Sequence, residues 1–495
     1  MQPNTSSLVD PNSPMGVPTH APSTSSANLT RPAVREIGAP RWAGLAIGSL
    51  VGAGLLSLLL VIGRLPPFDA LFTDEGFFHR ALVVHVDLAI VVWFLAFTVG
   101  LYHLLPSSSS APPWCRVAPH VAFSGLLMMV AATFIPEAAP ILANYIPVLD
   151  HPLFLAGLLA FGAGILLAVL GPRLAPSTEI IDAGPIPPEA RPGLRVAAIA
   201  IILAALTLLS SWWSLSPHQP AEVYYERLVW GCGHVLQFAS VAAMVAVWLS
   251  LLRPVLGRAV LNRKVTTLLF ALLVTPLFVA PLLADTNTPE SRMFFTRLME
   301  LAIFPVVSVF LIASLVAIVR FRRTPEGAAG PSPWRDPRTM AFAASGSLTA
   351  LGFVLGAMID GSNTLVPAHY HASIGAVTAA FMGATHAFGR HFGLAPYTPR
   401  GKGLARWQPI VFGVGQMIFA AGFAIAGAAG MVRKTYGTEQ VAVTDAMAKT
   451  VGLVVMGIGG VIAVVGGLVF LALVLGAWRR ARASGGPRNP APSFD

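Results

Sequence analysis

The chain has 495 residues, of which 55% are hydrophobic and only 11% charged, and its mean hydropathy is +0.71. A soluble domain carries roughly 25% charged residues, so the composition excludes one and predicts an all-α bundle that crosses a membrane many times. The formal charge of +10 comes with no basic-aromatic motif, which argues against a nucleic-acid partner and makes membrane lipid the surface that this charge meets.

Residues 1–40 are rich in Ser, Pro, Thr and Asn and read as a disordered cytoplasmic tail. No charged, apolar and small-residue pattern of a cleaved signal opens them, so the first apolar segment serves as the insertion signal. A membrane domain over 41–478 follows, with twelve apolar segments of spanning length. They run 41–63, 79–105, 116–136, 150–170, 193–213, 226–252, 264–284, 294–319, 339–360, 367–389, 408–430 and 448–478. Pro136, Pro140, Pro147 and Pro152 crowd the junction of the third and fourth. Residues 479–495 form a second cytoplasmic tail.

Charge sets the orientation. With the N-terminus inside, the inner loops and tails receive Arg253, Arg258, Arg263, Lys264, Arg320, Arg322, Arg323, Arg335, Arg338, Arg390, Arg400, Lys402, Arg406, Arg479, Arg480 and Arg482. This bias puts both termini in the cytoplasm, as in a bacterial inner membrane. Cys115 falls in an inner loop and Cys232 near the outer end of a helix, which argues against a disulfide between them. There is no Cys-x-x-Cys-His for covalent c-type haem and no cysteine cluster for an iron–sulfur centre.

Four histidines stand out: His85 in the second segment, His234 in the sixth, and His369 and His371 in the tenth. All three segments have even numbers and run inward, so each histidine lies within the first two or three turns, roughly 3–12 Å along the helix axis. A single one would read as a packed polar residue or a headgroup contact. Four at one depth on three helices point to cofactor ligation, because ionisable groups in a membrane are costly without a function. His369 and His371 are two residues apart, so on a helix they point about 200° apart and cannot share one small ion. They can serve two planar cofactors. Neutral imidazole is a common axial ligand of haem iron. One haem would lie between His85 and His371 and be six-coordinate. A second would hang on His369 with an open axial position, faced by His234. Arg433 and Lys434, at the outer end of the eleventh segment, suit haem propionates or are ordinary snorkelling residues.

The pattern resembles subunit I of the haem–copper oxidase superfamily, the cytochrome oxidases and nitric oxide reductases, over 41–478. Pro367-Ala368-His369-Tyr370-His371 resembles the family's tenth-helix His-aromatic-His motif. Val84-His85-Val86-Asp87-Leu88 and the run to Trp93 resemble its second-helix haem-ligand segment. Trp230-Gly231-Cys232-Gly233-His234 resembles the start of its sixth helix, and Gly430-Met431-Val432-Arg433-Lys434 its propionate-binding basic pair. The resemblance implies that His85 and His371 ligate a low-spin haem iron and His369 a high-spin haem iron, of b-, o- or a-type. It implies that His234 is the catalytic-site residue toward a second metal. It also implies respiratory-complex subunits as partners, and cytochrome c or a quinol as electron donor.

The chain departs from the family at the second metal. No histidine lies between His234 and His369, and Ser291-Arg292-Met293-Phe294 stands where the family has an adjacent His-His pair. Phe238 occupies the position four residues after His234, where the family carries a tyrosine or glutamate; Gln237 and Glu300 are the nearest polar candidates. One histidine is too few ligands to hold copper tightly. Glu75, Asp87, Glu137, Glu226, Glu300 and Asp360 fall at or near predicted helix ends, where carboxylates could assist proton movement. Three functions compete: an oxidoreductase of the respiratory chain that reduces oxygen or nitric oxide, a non-catalytic di-haem electron-transfer subunit, and a transporter. The last is disfavoured because no half-to-half repeat or broken-helix pair is visible.

Overall fold

The computed structural model describes residues 38–62, 76–107, 110, 112–175, 184–285, 287–433 and 447–484. Lys434, Glu75 and most of both predicted tails lie outside them. The described chain is a bundle of twelve long helices. These are α1 (Gly38–Ile62), α2 (Phe77–Tyr102), α3 (Pro113–Ala132), α4 (Pro152–Val169), α5 (Arg191–Ser214) and α6 (Ala221–Leu256). They continue with α7 (Arg263–Leu283), α8 (Pro289–Arg322), α9 (Pro337–Ala357), α10 (Leu365–Ala387), α11 (Pro399–Ala428) and α12 (Met447–Ala483).

Eleven of the described helices are long and apolar enough to cross a membrane. The exception is α10, whose His369-Tyr370-His371 and many small residues dilute its hydropathy, yet it packs against α9, α11 and α6 like the others. The all-α polytopic bundle expected from composition is therefore what forms. Exposed tryptophans sit near helix ends, Trp212 and Trp213 at the end of α5 and Trp114 at the start of α3, where amphipathic rings meet the interface of a bilayer.

The prolines between α3 and α4 break the helix and leave room for a small antiparallel hairpin, Ala139–Ile141 paired with Val148–Asp150. The Asn144-Tyr145 tip lies against α6. Asn144 N–H donates 2.9 Å to Glu226, and Tyr225 Oη–H donates 2.7 Å to Asp150. These contacts explain why α6 starts at Ala221, earlier than the predicted 226: its first turns rise to meet the hairpin. Cys115 lies in the first turn of α3 rather than in a loop, and it and Cys232 are both buried free thiols.

Helix α6 is the axis of the bundle, with 83% of its apolar stretch buried, against 28% for α12. Where helices touch most closely, small residues face backbone. Gly415 and Gly422 of α11 lie against the main chain of Ala463 and Met456 of α12, the close approach that membrane helices use when lipid is as apolar as their side chains. Two helices carry a π turn, α2 at Leu88–Val92 and α8 at Met299–Ile303.

Candidate functional site

His369 and His371 leave α10 on opposite sides, as the helical period requires. His369 turns to α9, where its Nδ1–H donates 2.7 Å to Gly352 O. Gly356, one turn on, makes this possible, because a Cβ there would sit 2.8 Å from His369 Nδ1. His371 turns to α11, with Phe423 stacked at 5.5 Å and 12° and Phe419 edge-on at 4.8 Å. His85 Nδ1–H donates 2.8 Å to Ala53 O of α1, and the rings of His85 and His371 lie within electrostatic reach of each other.

A carbonyl accepts only, so these bonds fix His85 and His369 as Nδ1–H tautomers and leave each Nε2 lone pair free. That is the arrangement in which a main-chain carbonyl orients an imidazole that binds iron. The donor set suits haem: three imidazoles, two with an anchored Nδ1, and an aromatic wall beside the third. Arg433 lies at the same end. Thr364 N–H donates 3.0 Å to Met431 O, Asn363 and Val432 form an antiparallel bridge, and Arg433 Nε donates 3.1 Å to Ser362 Oγ. Gly430, at φ +79°, turns the chain into this clip. Arg433 is thus held over the start of the histidine helix. Lys434 lies outside the described residues.

His234 differs from the sequence expectation on two counts. It sits almost four turns into α6, about 20 Å along the axis, because the helix begins earlier than predicted. Both of its nitrogens are engaged: Nδ1 lies 2.7 Å from Trp230 O, and Nε2 lies 2.8 Å from the Tyr145 hydroxyl. The Trp230 carbonyl makes Nδ1 the donor, so Tyr145 Oη–H donates to Nε2. Burial raises the Tyr145 pKa and Glu226 adds to this, while Arg433 opposes it; the phenol therefore stays protonated. Gly233 carries no Cβ where the Tyr145 ring lies.

From α8, the ring of Phe295 lies 5.9 Å from that of His234, and Arg292 O accepts 3.2 Å from Trp230 Nε1. Among the described residues no three His, Cys, Asp or Glu side chains converge as a metal-ion group. Of the carboxylates, Glu226 binds Asn144 and Glu300 pairs with Arg297 at 2.8 Å. Asp87 is not at a helix end as expected. It is fully buried inside α2, and neither carboxylate oxygen has a hydrogen bond.

Tyr145, Gly352 and Gly356 escape a reading of the histidines alone. The Gly-x-x-x-Gly spacing of the last two was a usable sign of a close approach. Tyr145 had none, being one tyrosine in a proline-rich connection.

With this geometry in hand, comparison with known proteins is informative about fold. No protein-family profile matches the chain. An uncharacterised protein of Aquifex aeolicus (strain VF5) is 28% identical over 354 residues, 71% of this chain and 84% of that protein. One of Rickettsia prowazekii (strain Madrid E) is 25% identical, covering 87% of this chain and 94% of its own length. Among solved structures, a haem–copper terminal oxidase dimer aligns with a TM-score of 0.62 at 17% identity, over 88% of this chain and 84% of that one. The chain has the fold of that oxidase.

Proposed function

We propose that the chain is a membrane haem protein of the respiratory chain that passes electrons from a low-spin haem, held by His85 and His371, to a high-spin haem held by His369. Bound haem iron would supply the one-electron chemistry. The observation that carries the reading is the orientation of the imidazoles: His85 and His369 turn Nδ1 to a main-chain carbonyl and keep Nε2 free. The oxidase fold supports it. Arg433 would neutralise propionates at the outer end, with Lys434 as its neighbour in sequence. The electron donor would be cytochrome c or a quinol, the other partners subunits of a respiratory complex, and the site the inner membrane of a bacterium with both termini inside.

A second reading, a di-haem electron-transfer subunit without a second metal, is favoured by the occupied nitrogens of His234. A histidine that donates from Nδ1 and accepts at Nε2 has no lone pair left for copper. In the oxidase reading His234 faces the open side of the high-spin haem, and oxygen or nitric oxide is the acceptor.

The deciding experiment is a pyridine haemochrome assay with elemental analysis of the purified chain. Two haems per chain with no copper supports the electron-transfer reading, and two haems with one copper supports the oxidase. One haem or none defeats both.

A further inference from the structure

A cavity of about 250 Å³ opens between α11 and α12 at the end of the bundle opposite Arg433. It is outside the histidine site. Its polar lining comes from three places: Tyr397 and Thr398 in the connection after α10, Arg400 in the first turn of α11, and Arg480 in the last turn of α12. Its apolar wall is Leu404, Val469 and Leu473, one side from each helix. No carboxylate lines it, and among the described residues neither arginine has an ion pair.

The two cations are built toward the cavity. Arg480 Nη2 donates 3.4 Å to the carbonyl oxygen of Pro396, the residue before Tyr397, which holds the guanidinium at the cavity mouth. Arg400 sits at the second position of a helix that begins with Pro399, where the axial dipole is also positive. The Tyr397 hydroxyl is turned away, 2.9 Å from His386 Nδ1, and His386 Nε2 lies 3.1 Å from Gln408 Oε1. Gln408 in turn donates 3.1 Å to Gly466 O of α12. This buried chain clamps the connection to both helices and holds the Tyr397 ring as a fixed wall.

Like guanidinium charges gathered over an apolar slot repel each other unless an anion lies between them. The volume equals roughly eight waters at about 30 Å³ each, enough for a phosphodiester and its glycerol but not for a bulky headgroup. The apolar wall continues down α11 and α12, as an acyl chain needs. We propose that this cavity binds one acidic phospholipid, its phosphate between Arg400 and Arg480 and one acyl chain along Leu404, Val469 and Leu473. The lipid seals the inner end of the seam where α12 packs on α11.

The test is a lipid titration of the detergent-solubilised full chain, read by native mass spectrometry. Phosphatidylglycerol is compared with phosphatidylcholine of the same acyl chains. Wild type is expected to hold one phosphatidylglycerol at least 10-fold more tightly than phosphatidylcholine. Arg400→Gln with Arg480→Gln is expected to weaken it about 30-fold. The charge-matched pair Arg479→Gln with Arg482→Gln, whose side chains do not line the cavity, is expected to leave it unchanged. Leu404→Trp keeps both charges but fills the slot, and is expected to expel the lipid; it decides the matter if the double arginine variant fails to fold. Equal loss in both arginine pairs, or retention in Leu404→Trp, overturns the proposal. So does displacement of phosphatidylglycerol by 10 mM inorganic phosphate, which would make the cavity a free-phosphate site.

Discussion

Two histidine neighbourhoods in this bundle look alike in sequence and differ in chemistry. On one side, His85, His369 and His371 stand among apolar helices, and the first two are anchored only through Nδ1. On the other, His234 is anchored through both nitrogens, by a carbonyl of its own helix and a phenol from a distant hairpin. Burying a polar group without a partner costs about 1–3 kcal/mol. The His234 side meets that cost within the protein, while the other side leaves ring nitrogens free for a partner that the chain does not itself provide. An unfilled hydrogen-bonding capacity, rather than the presence of histidine, is what separates a ligand from a structural ring.

The contrast can be broken most sharply at the proposed axial pair. His85→Ala and His371→Ala are each expected to abolish the same low-spin haem signal, taking a pyridine haemochrome count from two per chain to one; loss of different signals by the two variants would disprove the pairing. Gly356→Ala follows in size. Its new Cβ lies 2.8 Å from His369 Nδ1, so the ring must swing off the Gly352 carbonyl. The high-spin signal and its carbon monoxide shift are expected to fall at least 10-fold, with the low-spin spectrum intact.

Tyr145→Phe sharpens the contrast from the other side. It frees His234 Nε2 and costs about 1–2 kcal/mol of stability for the lost buried bond, read as a lower midpoint in thermal unfolding of the detergent-solubilised chain. The count of two haems should not change; a lost haem would place His234 among the ligands. Copper supplied to this variant is expected to remain loosely held, since one free imidazole is too few donors; tight stoichiometric copper by elemental analysis would contradict this. The smallest effect is expected for Phe423→Leu, which removes the ring stacked on His371. About 1 kcal/mol of aromatic contact is lost, visible as a shift in the low-spin absorption band without loss of haem.

Much of this arrangement was legible before the fold was known, for local reasons. The 3.6-residue period alone sends His369 and His371 to opposite sides of α10, and they do face α9 and α11. Apolar segments marked the twelve helices, α10 the least apolar of them, because lipid demands apolar length whatever the tertiary contacts are. The neighbourhood of His234 was not legible. Its partner lies 89 residues away in a proline-rich hairpin with no helical period, and such a contact leaves no trace in local spacing. The start of α6 was placed too late for the same reason: Glu226 and Tyr225 are polar, and their partners Asn144 and Asp150 lie in the distant hairpin. Asp87 was grouped with carboxylates at or near helix ends that could assist proton movement, and it lies instead fully buried within α2, where a carboxylate is costly.

The π turn at Leu88–Val92 gives α2 two phases. One surplus residue in a helix rotates everything beyond it by about 100° relative to an unbroken ladder. The upper phase presents His85 to α1. The lower phase presents Trp93 and Phe97 to Phe381 at ring distances of 6.0 and 4.6 Å. The turn works as a swivel between the His85 end and its aromatic foundation, so the two ends of one helix are aimed independently. Deleting a single residue there would restore a regular helix with both halves aimed as they are, whereas regularising the turn at unchanged length would misdirect the half beyond it.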